Sequence, residues 1–335
     1  MNRLISRTLF SVGIVGALLA YRFIPQSSSS GVVRVQQTLM GTVWNIEVVD
    51  HGHPVEARRA VNQAYDELAR IEALMSEWRP ESPISQVNAA AGKHAVEVPE
   101  ELRAIIERSV RDSEITQGAF DITWRGMGRL WHFDDSFRVP SRDEVETARR
   151  NIDYRAIRVN GNSIYLPEGK NIGLGGIAKG YAVNRAVELL VKAGFPDCLV
   201  DGGGDVRVSG TNQGQLWRLG IQNPRALHGE LLGVVRVTNR SVVTSGDYER
   251  FRIVNGVRYH HIIDPRTGWP ADKSASVTVI CDDAELGVVL DKAIFILGPE
   301  KGMELARAQH VDALIIDPQG RQYSTPGFAR VFDPR

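Results

Sequence analysis

Cys198-Leu199-Val200-Asp201-Gly202-Gly203-Gly204-Asp205-Val206-Arg207-Val208 sets two short apolar runs either side of three glycines. Such runs suit a pleated strand, and Asp and Gly suit the reversal between them, so the segment reads as strand, turn, strand. Three consecutive glycines are entropically costly, which points to close approach by a ligand or another strand; a loose hairpin is the alternative. The pattern continues through Trp217–Ile221, Val234–Val237 and Ser276–Ile280, each bounded by Gly, Asn or Asp. Helical stretches then follow from Ala284 to Leu297 and from Pro299 to Ala308, with a last strand at Ala313–Ile316.

Towards the N-terminus, apolar and polar residues alternate from Val32 to Asp50, giving two strands around Met40-Gly41-Thr42. Ala60, Val61, Ala64, Leu68, Ile71 and Met75 recur at helical spacing, so Pro54 to Ser76 is an amphipathic helix. Leu102, Ile105, Ile106 and Val110 repeat that spacing, and Pro99-Glu100-Glu101 is a suitable helix start. A third helix begins near Ile177 and stops at Gly194. Strands grouped together with helices set around them predict an α+β fold rather than strict βαβ alternation.

Composition narrows the function classes. The 335 residues balance 40 Lys and Arg against 40 Asp and Glu, so no basic field exists to hold a polyanion, and nucleic acid is excluded as a partner. Two cysteines, Cys198 and Cys281, are too few for a disulfide framework or a four-thiolate zinc site. They pair with each other or sit as buried small apolar residues. Arg3 and Arg7 precede the uncharged stretch Thr8–Tyr21, as in a secretory signal or signal anchor. That stretch is shorter than the ~20 residues that span hydrocarbon comfortably. Gln26-Ser27-Ser28-Ser29-Ser30-Gly31 reads as a flexible tether. Residues 1–31 are therefore expected to hold the chain at the periplasmic face of a bacterial inner membrane, cleaved or retained, with one domain from 32 to 335.

Several turns carry chemistry-bearing residues. Gly173-Leu174-Gly175-Gly176-Ile177-Ala178-Lys179-Gly180 opens a helix with amides and a lysine suited to a phosphate, or forms a tight strand–helix turn. No Ser or Thr follows the lysine, so it is not a Walker A loop. Thr244-Ser245-Gly246-Asp247-Tyr248 places two hydroxyls at a strand end, and Gly118-Ala119-Phe120-Asp121-Ile122-Thr123 offers amides and a carboxylate. Tyr259-His260-His261-Ile262-Ile263-Asp264-Pro265-Arg266-Thr267-Gly268 supplies imidazoles close to a turn-locked aspartate, as a general base requires, although a structural histidine fits as well.

Taken in order, these segments resemble the FAD:protein FMN transferase (ApbE) family. The resemblance runs from about Val35 to the end. Its markers are Met40-Gly41-Thr42-Val43-Trp44, Met75-Ser76-Glu77-Trp78-Arg79-Pro80-Glu81-Ser82, Ile84-Ser85 with Asn88, and Gly118-Ala119-Phe120-Asp121. The Gly175–Tyr181 turn, Gly203-Gly204-Asp205, Thr244-Ser245-Gly246 and His261-to-Gly268 complete the series. The resemblance implies antiparallel sheets flanked by helices, with FAD bound between them. It implies Mg²⁺-assisted cleavage of FAD, FMN passing to a threonine hydroxyl of an exported or membrane flavoprotein subunit and AMP leaving.

By the same resemblance Met40, Trp78, Ala119, Phe120, Asp121, Gly173 and Lys179 are flavin-nucleotide contacts. His261 is the base, Asp264 orients it, and a carbonyl near Gly176 is a metal ligand. The chain also departs from the family. Gly173 and Asn184 stand where Asp is common, and Val288 and Lys292 stand where Asp and Thr bind Mg²⁺. Three outcomes follow: Asp291 substitutes as metal ligand, Lys292 takes the cation's place, or the chain binds or delivers FAD without efficient transfer. Hydrolysis of the FAD pyrophosphate by water is the remaining alternative.

Overall fold

The computed structural model describes residues 31–335 except residue 228. The expected targeting segment therefore lies, but for Gly31, outside the described residues. Among these, no helix is long and apolar enough to cross a membrane.

An eight-stranded sheet forms the centre, and its strands neighbour one another in chain order. They are Val32–Leu39, Thr42–Val49, Cys198–Gly202, Asp205–Ser209, Arg240–Gly246, Ser276–Cys281, Asp312–Ile316 and Gln322–Ser324. Every neighbouring pair is antiparallel, as the α+β expectation requires. Seven helices are present among the described residues: α1 (Pro54–Met75), α2 (Pro83–Ala89), α3 (Glu100–Ile115), α4 (Arg142–Arg149), α5 (Ala178–Lys192), α6 (Ala284–Ala308) and α7 (Pro326–Val331).

Period-two alternation sends successive side chains to opposite faces, and here both faces are covered. On one, Ile46, Val48 and Val200 pack with Val61, Leu68, Val183 and Val187 of α1 and α5. Farther along the sheet Val277 and Val279 meet Ile294 and Phe295 of α6. On the other, Leu199, Val206, Val208, Val242 and Ile280 bury Trp217, Leu219 and Val235, together with Phe328 of α7. Those residues belong largely to a three-stranded sheet of Trp217–Gln222, Leu231–Val237 and Phe332–Pro334. Double coverage explains why Ser276–Cys281 is buried at all six positions.

The break expected between Leu297 and Pro299 is a kink within α6. Gly298 takes φ +79° there, a left-handed conformation that glycine adopts without a Cβ penalty. Cys198 and Cys281 are free and buried small residues here, and burial raises each thiol pKa to about 12.

The tightest helix contact lies at Gly180. A Cβ placed there would stand 2.3 Å from the Ala284 carbonyl oxygen and 2.7 Å from Val288 Cγ2, so α5 and α6 touch along their backbones. Helix propensity alone would have Gly180→Ala stabilise by about 1 kcal/mol. Overpacking acts in the opposite direction by about 1–3 kcal/mol. We expect urea denaturation to show net destabilisation of Gly180→Ala; a gain in stability would mean the helices are not in contact at that point.

Candidate active site

Local hydrogen bonds build the glycine-rich turn before any ligand is considered. Asn88 of α2 clamps Ile172 from both sides, accepting its amide at 2.7 Å and donating to its carbonyl at 2.8 Å. Gly173 then donates to the Ile122 carbonyl at 2.8 Å, while Ile177 and Ala178 donate to Leu174. The amides of Gly175 and Gly176 donate to no acceptor among the described residues, which leaves two unpartnered N–H groups at the start of α5.

Lys179 follows in the first turn of α5, and its ammonium is 2.7 Å from Asp205 Oδ2. Burial pulls its pKa down, but Asp205, joined by Asp291 and Asp201, raises it overall, so the amine is charged at neutral pH. Three ammonium protons leave capacity for a second acceptor beside Asp205. Gly203 and Gly204, at φ +70° and +95°, turn the chain from Asp201 to Asp205. Gly202 lies flat against Trp44 on the neighbouring strand, where a Cβ would be 2.8 Å from the indole. The glycine run thus combines a hairpin turn with close approach by another strand. Asp201 accepts from the Gly204 amide at 2.8 Å and from Asn45 Nδ2 at 3.2 Å. Burial dominates these bonds and raises its pKa to about 6.

The expected flavin-nucleotide contacts fall into two groups. Trp78 is 75% exposed, with the Arg125 guanidinium 4.1 Å from its ring, so one aromatic face is backed by a cation and the other is free. Gly173 supports this stack. A Cβ there would meet Arg125 Cδ at 3.2 Å and Glu77 Oε1 at 3.3 Å, and an aspartate would face the Glu77 carboxylate. Met40, at φ +49° in the first hairpin, donates its amide to Glu72 Oε1 at 2.9 Å. Ala119 and Phe120 are buried, and the Phe120 ring lies 3.0 Å from the Cβ position of Gly176.

Asp121 departs from expectation. Its Oδ1 accepts from the Thr123 amide and hydroxyl at 2.7 and 2.6 Å, and its Oδ2 accepts from the Tyr154 amide at 3.1 Å. The carboxylate is taken up in holding its own loop, the local bonding that short polar side chains favour, and is not directed at a ligand.

Asp264 also needs correction. Its carboxylate accepts from Arg266 Nε at 2.8 Å and from a terminal Arg266 nitrogen at 2.8 Å, not from His261. Its carbonyl accepts from Thr267 and Gly268, so Asp264 fixes the turn after the histidines. His260 is buried with Nε2 2.6 Å from the Ala271 carbonyl, a structural role. His261 is open to solvent on one side and surrounded by protein on the rest. That crowding, followed by His260 and Arg250 and then Lys292, lowers its pKa to about 3. The imidazole is therefore neutral at pH 7.

Asp291, on α6, is fully buried. Its Oδ2 accepts from Ser245 Oγ at 2.9 Å, and its Oδ1 lies 3.2 Å from Lys292 Nζ. Lys292 also donates to the Val288 carbonyl at 2.8 Å. Burial raises the Asp291 pKa to about 6 despite Lys292. These residues do not fit Mg²⁺. Val288 packs against Gly180, both Asp291 oxygens are engaged, and no group of three or more His, Cys, Asp and Glu suited to a metal exists among the described residues. A divalent ion bound by Asp291 would also stand against the Lys292 ammonium already paired with it, which repels it. The metal-ligand role expected of Asp291 is accordingly set aside. Asn184 is explained by its partners: it donates to Asp283 at 2.6 Å and accepts from the Ala284 amide and Arg207, where an aspartate would oppose Asp283.

Arg125 behind Trp78 was not anticipated, since no motif spacing joins it to residue 78. Ser245 stood in a recognised turn, but its bond to Asp291 spans 46 residues.

This chain belongs to the ApbE family, which it matches over residues 40–315. It is 33% identical to an FAD:protein FMN transferase of Treponema pallidum (strain Nichols), covering 92% of this chain and 93% of that protein. A Vibrio cholerae protein of the same name is 28% identical over 88% of this chain and 91% of its own length. Among solved structures, the ApbE protein of Thermotoga maritima superposes with a TM-score of 0.83 at 31% identity, covering 90% of this chain and 99% of that one. The flavin transferase ApbE of Vibrio cholerae gives 0.81 at 27% identity, with 90% and 99% coverage.

Asp201 generates a pH prediction. Its folded pKa, about 6, lies above the unfolded value of 3.8, so its contribution to stability is complete below pH 3.8 and is lost as pH rises through 6. Between pH 4 and 7 the stability of Asp201→Asn should gain on the wild type by on the order of 2–3 kcal/mol. Parallel stability curves for the two proteins would show that Asp201 is not buried as described.

Proposed function

We propose that this chain transfers FMN from FAD to a threonine hydroxyl of an exported or membrane-bound flavoprotein subunit, releasing AMP. Membership of the ApbE family supports the reaction class, and the names of the relatives support FAD as donor and a protein as acceptor. The observation that carries the reading is His261, a neutral imidazole open to solvent and within the field of Lys292. In this reaction His261 Nδ1 or Nε2 takes the threonine proton as Oγ attacks the phosphorus of the FMN half. The Oγ–P bond forms and the pyrophosphate P–O bond breaks. Its electron pair leaves with AMP, and the proton passes from His261 to the departing phosphate or to water.

The remaining residues bind and orient. The amides of Gly175 and Gly176 and the Lys179 ammonium suit the pyrophosphate, and the free face of Trp78 suits an aromatic ring of FAD. The basic and apolar residues before Tyr21 support placement at the periplasmic face of the inner membrane, where an exported acceptor would be met. The openness of His261 also admits water, so FAD pyrophosphate hydrolysis is the second reading.

Purified protein incubated with FAD and a threonine-bearing acceptor should leave covalent fluorescent flavin on the acceptor. No labelled acceptor, with AMP and FMN both accumulating, would favour hydrolysis. His261→Ala should lower transfer by roughly 10²–10⁴-fold with FAD binding retained. With its pKa near 3 the His261 ring should stay neutral from pH 8 to pH 5, so its imidazole proton NMR signals should not shift over that range. A titration of those signals centred near 6.5 would contradict the assigned state of the ring.

A further inference from the structure

We infer that Lys292 is the resident cation of this site, so that FAD binds and its pyrophosphate charge is offset without a divalent metal ion. The inference rests on the FAD reading above and adds the identity of the positive charge. Geometry carries it. Two contacts fix the Lys292 ammonium, the Val288 carbonyl at 2.8 Å and Asp291 Oδ1 at 3.2 Å. An ammonium has three protons, so one remains for an acceptor outside the protein. The stem crosses the glycine-rich turn, with Cδ 3.9 Å from the Cβ position of Gly176. Its side chain is 26% exposed, and the turn that its stem overlies carries the two unpartnered amides of Gly175 and Gly176.

Charge reinforces the placement. Asp291 is buried and lies in the fields of both Lys292 and Asp205, and Lys179 lies in the fields of Asp205, Asp291 and Asp201. Two ammonium groups on a common carboxylate network flank the turn to which the pyrophosphate is assigned. A divalent ion could enter only by expelling Lys292 from Asp291 and leaving that ammonium without its partner.

The test is titration of the full chain with FAD, followed by flavin fluorescence, in EDTA and again in excess Mg²⁺. Wild-type affinity should agree within about twofold between the two conditions. Lys292→Met keeps the apolar stem over Gly176 but removes the charge, and should weaken binding in EDTA at least tenfold. Affinity lost more than tenfold in EDTA by the wild type would overturn the inference and leave the flavin reading intact. Unchanged affinity in a folded Lys292→Met variant would also overturn it. No FAD binding under either condition would overturn both readings. Stoichiometric Mn²⁺ binding by the wild type, measured by paramagnetic resonance, would contradict the inference without recourse to FAD.

Discussion

Backbone contact between Gly180 of α5 and the first turn of α6 is the constraint on which the site depends. With no Cβ at 180, the Ala284 carbonyl and the Val288 side chain settle directly on α5. One helical turn beyond Val288, Lys292 is thereby brought over Gly176 at the start of α5. The same contact directs Asp291 inward to Ser245 on the central sheet. Three elements distant in the chain meet because α5 has no side chain at Gly180.

Around that contact the charges are arranged as pairs. Lys179 faces Asp205, Lys292 faces Asp291, and Asp201 closes the glycine turn. Asp264 and Asp121, which an eye for motifs would assign to the chemistry, instead hold loops through Arg266, Thr123 and Tyr154. Removing them should disturb position before it disturbs proton transfer.

Much of this architecture was legible in the residues themselves. Hydrophobic period gave α1 and α3 to within a residue or two, and Gly194 marked the end of α5, because each depends on neighbours within a few positions. The hairpin Phe251–Val254 and Val257–His260 was missed although Asn255-Gly256 is a strong turn signal; both residues take positive φ, as a type I′ turn requires. The order of motifs supplied the family-level fold. It did not supply partners. That Asp264 binds Arg266 rather than His261 depends on side-chain geometry within a tight turn. That Lys292 overlies Gly176 depends on a helix crossing more than a hundred residues away in sequence, which no local spacing encodes.

The central claim is that a protein ammonium, not a metal, stands against the FAD pyrophosphate. Its most direct test is a crystal structure of the chain with FAD, grown with Mg²⁺ present. The account predicts Lys292 Nζ within hydrogen-bond distance of a pyrophosphate oxygen, still paired with Asp291, and no ion between them. A metal bridging Asp291 and the pyrophosphate, with Lys292 displaced from both, would contradict it.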